Sequence, residues 1–81
     1  MFIKCLDTKG KRTYIKPDHI VRFYGDNIAH YGDLPDCNGT VMVVEEPDGE
    51  EIYSFLLFAD VSPDALADLL NKESQKNEKC S

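Results

Sequence analysis

The chain reads as an α+β domain, mostly β: a four- to five-stranded antiparallel meander or small open barrel with one short C-terminal helix. Three observations predict this. Its 81 residues, 42% of them apolar, suffice for one modest core. Short runs rich in β-branched and aromatic residues recur between turns built from Gly, Pro, Asp and Asn. A single capped helical stretch follows the last of those runs.

Phe2 to Leu6 reads as the first strand, and Asp7-Thr8-Lys9-Gly10-Lys11 as a turn in which Gly10 supplies a positive φ. Arg12 to Ile15 returns as its hairpin partner. Pro17 stops the ladder and Ile20 to Tyr24 resumes it. Gly25 to Gly39 then keeps neither a period of 2 nor one of 3.6, and reads as a long loop, functional or mobile. Thr40 to Glu46 and Glu50 to Phe58 form a second hairpin around Pro47-Asp48-Gly49. Ser62 caps the helix, Pro63 fits its first position, and Asp64 complements the positive end of its dipole. Leu66, Leu69 and Leu70 make its apolar stripe. The domain is expected over residues 1–70, with 71–81 a polar flexible tail.

The last strands are apolar on both faces. Met42 and Val44 oppose Val41 and Val43, and Ile52, Leu56 and Phe58 oppose Tyr53, Phe55 and Leu57. One short helix covers one face. The other must be covered by the sheet curling on itself, by a second copy, or by another protein.

Charge is segregated. Residues 1–24 carry six basic and two acidic groups, whereas residues 25–70 carry eleven acidic and no basic ones. The net charge of −6 argues against direct nucleic-acid binding, although Lys9, Lys11, Arg12, Lys16 and Arg22 interleave with Tyr14, Phe23 and Tyr24. The longest apolar run, Phe55 to Ala59, falls far short of the ~20 residues that span a bilayer, and the opening residues lack the form of a signal peptide. Cys5, Cys37 and Cys80 are three and widely spaced, which fits a reducing, cytoplasmic setting, with Cys5 a small buried hydrophobe and Cys80 a free thiol.

Chemistry-bearing sets are few. Glu45, Glu46, Asp48, Glu50 and Glu51 crowd the second hairpin's tip; solvated there, they suit docking on a basic partner rather than acid–base catalysis. Arg22, Tyr24, His30 and Tyr31 bracket the long loop and would suit an anionic or planar ligand if they converge. His19, His30 and Cys37 lack the close pairing of a zinc site, and His19 reads as a surface residue beside Asp18. Neither Ser54 nor Ser62 sits in a nucleophile elbow, and the glycines form no phosphate loop, so no enzyme, metal or cofactor is expected.

The phrase IKCLDTKGKRTYIKPDHIVRF, followed by a valine-rich strand, a tight Gly turn, another strand and a capped helix, resembles small flagellar-operon proteins of the FlbD type and short phage and mobile-element proteins of the same layout. The resemblance covers residues 2–24 and 40–70 and implies a topology and a bacterial or phage origin. It brings no catalytic or binding residue. Three functions compete: a self-associating, non-enzymatic interaction module with an acidic docking hairpin; a phage-encoded inhibitor of a host nucleic-acid-binding or defence protein; and a nucleotide-like ligand binder or decoy using the 25–39 loop.

Overall fold

The computed structural model describes residues 1–80, with side chains through Lys72. Five antiparallel strands form one sheet: β1 (Ile3–Leu6), β2 (Arg12–Ile15), β3 (Ile20–Asn27), β4 (Asn38–Asp48) and β5 (Glu51–Ala59). A C-terminal helix, α1 (Pro63–Cys80), follows. Its backbone runs past Leu70, the last residue of the expected stripe, into the expected tail, of which residues 73–81, Cys80 among them, lie outside the described side chains.

Both hairpin turns use a glycine in the left-handed region, Gly10 at φ 77° and Gly49 at φ 66°, a conformation that residues with a Cβ rarely adopt. Asp7 Oδ1 accepts the backbone N–H groups of Lys9 and Lys11, each at 2.9 Å, which closes the first turn. The Lys11 bond leads in lowering the Asp7 pKa. At the helix, the Ser62 hydroxyl accepts the Ala65 N–H at 3.2 Å, the cap that the sequence implies.

The strand order is β2-β1-β5-β4-β3. It is a meander whose first and last strands have paired, through Leu6 and Phe58. Successive strands β2 and β3 thus become opposite edges, joined only by Lys16 and a 3-10 turn, Pro17–His19. Laid flat, four strand spacings would part those edges by ~19 Å. Five residue steps reach at most ~18 Å fully extended, and a 3-10 turn covers far less. The sheet therefore curls. Ile15 and Ile20, at the two ends of this link, belong to one apolar cluster.

That cluster fills the concave face. Ile3, Cys5 and Ile15 meet Met42, Val44, Leu57 and Ala59 there, under Leu66 of α1. Leu70 joins it, while Leu69 turns outward and is exposed, so only two of the three expected helix leucines face the core. Burial pushes the Cys5 thiol up to about 11, so it packs as an inert small hydrophobe.

The convex face carries Val41, Phe58, Leu56 and Tyr24, and its cover comes from the segment expected to be a loose loop. β3 continues to Asn27 and β4 begins at Asn38, so only residues 28–37 connect them. These form a strap. Ile28, 1% exposed, plugs the cluster with Tyr31 and Leu34 beside it, and the Tyr31 and Phe58 rings lie 5.7 Å apart. Asn27 opens the strap's 3-10 turn, Ile28–Tyr31, by accepting the Ala29 N–H. The far side docks on the first hairpin turn, where Thr8 O accepts the Asp33 N–H at 3.0 Å. A Cβ on Gly32 would run into that same carbonyl.

His19 also departs from expectation. It is half-buried, and its Nδ1 is enclosed without a hydrogen-bond partner among the described residues.

Candidate functional site

The sheet is uneven in a way that creates a distinct surface. β4 and β5 pair continuously from Thr40 opposite Ala59 to Asp48 opposite Glu51. β3 accompanies β4 only as far as Ile20 opposite Val44, and β1 touches β5 at Phe58. Residues 45–54 are therefore a two-stranded arm with no strand paired to either edge among the described residues.

All five expected docking residues, Glu45, Glu46, Asp48, Glu50 and Glu51, lie on this arm and are exposed. Pairing places Glu46 opposite Tyr53 on one face and Pro47 opposite Ile52 on the other. Ile52 is 68% and Tyr53 52% exposed, so each arm face offers an apolar group ringed by carboxylates. Tyr53 O–H donates to Glu51 Oε2 at 3.1 Å. Among the described residues none of the five carboxylates has a cation within ion-pair distance; the pairs formed are Arg12 with Asp60 and His30 with Asp26. Two-stranded ribbons are marginal in water by themselves. An arm of this composition is better suited to contact than to packing within its own chain.

The second expected set does converge. Arg22 Cζ lies 5.4 Å from the Tyr24 ring centroid, and the Tyr24 and Tyr31 hydroxyls are 3.3 Å apart. Tyr31 O–H donates to Asp26 Oδ2 at 2.6 Å, and His30 Nδ1 lies 3.5 Å from Asp26 Oδ1. Asp26 links the set, and it is the member that sequence reading omits. Its signal was present: Asp26 stands two residues beyond Tyr24 on β3 and so shares its face. The Tyr31 hydroxyl, then the Asn27 N–H and His30, hold the Asp26 carboxyl below its ordinary value. Donation to Asp26 pushes the Tyr31 phenol up, with Tyr24 adding to it. Ionised carboxylate and un-ionised phenol thus reinforce one another. Chemically this is a clasp that fastens the strap to β3. A phenol held in its neutral, donating form is a poor nucleophile.

Beside the clasp a cleft of about 530 Å³ lies against the start of α1, lined by Asp26, Asn27, Asn38, Asp60, Ser62 and the glycines of β3 and β4 among others. Its lining carries two carboxylates and no cationic side chain, which disfavours an anionic occupant. No group of three or more His, Cys, Asp or Glu side chains is placed to hold a metal ion among the described residues. No helix is long and apolar enough to cross a membrane among those residues.

Opposite in character to the arm is the first hairpin. Lys4, Lys9, Lys11, Arg12 and Lys16 are exposed on it. Between these cations, Phe2 is 62% and Tyr14 60% exposed. A groove of about 330 Å³ runs along this side, lined by Phe2, Tyr14, Ile15, Lys16 and His19, with Glu46 across it.

Comparison with protein-family models, with curated proteins and with solved structures finds no match to this chain.

Proposed function

We propose that this chain is a small non-enzymatic interaction module whose acidic hairpin arm docks on a basic protein surface. One observation carries the reading: residues 45–54 extend beyond both neighbouring strands and present Ile52 and Tyr53 among five carboxylates that have no ion-pair partner among the described residues. Exposed apolar groups supply contact area, and the surrounding charges select the sign of the partner. The free strand edges of the arm add backbone donors and acceptors for a strand-like contact. At physiological ionic strength the attraction acts over a screening length of about 8 Å, so it steers and discriminates at close range.

The decisive experiment is binding to an immobilised lysine-rich peptide as a function of salt. The native chain binds at low salt and releases as salt rises. A chain with Glu45, Glu46, Glu50 and Glu51 all changed to Lys does not bind. Equal binding by both chains overturns the reading.

A further inference from the structure

We infer that the basic surface met by the arm is the first hairpin of a second copy of this chain, so that two copies clasp one another reciprocally. The inference rests on the docking reading above and names its partner.

The two surfaces match in sign and in layout. On the arm, Ile52 and Tyr53 stand among Glu45, Glu46, Asp48, Glu50 and Glu51, with no basic residue between them in the chain. On the first hairpin, Phe2 and Tyr14 stand among Lys4, Lys11, Arg12 and Lys16, and the acids of residues 1–24 are only Asp7 and Asp18. β2 is moreover an outer strand of the sheet, with one side unpaired, as the arm strands are. Edge strands left open in this way are the places where a second chain adds.

On the hairpin Arg12 pairs with Asp60 of its own chain, but the arm's carboxylates find no such partner among the described residues. Among the described residues, Glu46 at the root of the arm is the one arm carboxylate lining the groove beside the basic hairpin, shared with Lys16, and it forms no ion pair there. Asp48 to Glu51 form the far end of the hairpin, where the arm turns at Gly49. A two-fold axis makes two such contacts from one complementary pair of surfaces: the arm of each copy reaches the first hairpin of the other. Like arms would repel, and so would like hairpins, so the charges also reject the head-on alternatives.

Charge swapping tests this. Two variants are made, one with Glu45, Glu46, Glu50 and Glu51 changed to Lys, the other with Lys4, Lys11 and Lys16 changed to Glu. The native chain sediments with twice the mass of one chain at low micromolar concentration and shifts toward single-chain mass at high salt. Each variant alone is single-chain in mass. Mixed in equal amounts they restore the doubled mass, because each arm now meets a hairpin of opposite charge in both contacts. A misfolded variant would not be rescued by mixing, and circular dichroism of each variant separates that case. A native chain of single mass, or correctly folded variants that stay apart when mixed, overturns reciprocal pairing. The lysine-rich peptide separates the two readings: a single-mass native chain that binds it through the arm retains the docking function and loses the self-pairing.

Discussion

The strap of residues 28–37 and the arm of residues 45–54 are equal in length, and they treat their apolar side chains in opposite ways. The strap has no regular period, yet Ile28 is 1% exposed and Tyr31 and Leu34 pack beside it. Its ends and middle are tied, by the Ile28 N–H to Cys37 O at 3.1 Å, by the Asn27 amide to Asp36 at 2.7 Å and by Asp33 to Thr8. The arm is regular, with unbroken cross-strand pairing, yet Ile52 and Tyr53 are exposed. Regular hydrogen bonding and burial are thus separate properties here. A ladder needs only one neighbour, while burial needs a layer above, and the strap lies over the sheet's body but not over the arm.

The strongest way to break that contrast is to remove the strap's plug. Ile28→Ala deletes a fully buried side chain and is expected to cost about 2–5 kcal/mol. A domain of this size holds on the order of 0.1 kcal/mol per residue, so the variant sits near its unfolding threshold. Ile28→Val, at about 0.5–1.5 kcal/mol, keeps the effect measurable by urea denaturation. If both variants match the native midpoint, the strap is not a structural layer.

A second test adds rather than removes. Gly32→Ala places a methyl against the Thr8 carbonyl, which itself accepts the Asp33 N–H. Overpacking of this kind typically costs about 1–3 kcal/mol. Hydrogen exchange should show the loss at the Asp33 amide first. Unchanged protection there would mean that the strap is not fastened to the first hairpin.

The clasp supplies a pH test. Asp26 is held below its ordinary value of 3.8, so its contribution is present above that value and lost as pH falls through the lower folded value. Native stability should therefore drop on the acid side of pH 4. Tyr31→Phe removes the leading cause of the lowering and should flatten that part of the profile. Parallel profiles for the two chains would exclude Asp26–Tyr31 as the source.

Much of this was open to sequence reasoning, and the limits have physical causes. The strands, both glycine turns and the Ser62 cap follow from contacts within a few residues, which local composition encodes. Arg22, Tyr24, His30 and Tyr31 bracket one segment, and their convergence follows from its docking on β3. The strap's burial was not legible because its partners, Thr8 and Phe58, lie far away in the chain. Three anchors at Ile28, Tyr31 and Leu34 over so short a stretch do not establish a period either. The pairing of β1 with β5 was equally hidden: it rests on Leu6 and Phe58, separated by nearly the whole domain.

The smallest effect on stability sharpens the comparison from the arm's side. Ile52→Ser and Tyr53→Ser replace apolar groups as large as the strap's plug, but at exposed positions with no layer above them. Surface substitutions of this kind stay within about 0.5 kcal/mol, so the urea midpoints should barely move. Tyr53→Ser also removes the bond to Glu51, which is exposed and screened. Binding should respond differently. If the arm is a contact surface, both variants weaken docking on the lysine-rich peptide or lower the fraction of doubled-mass species, at undiminished stability. A large loss of stability would mean that the arm packs against its own chain after all, and the distinction between a buried strap and a presented arm would fail. Loss of association without loss of stability is the pattern that only a docking arm produces, because the same side chain then contributes to the assembly and not to the fold.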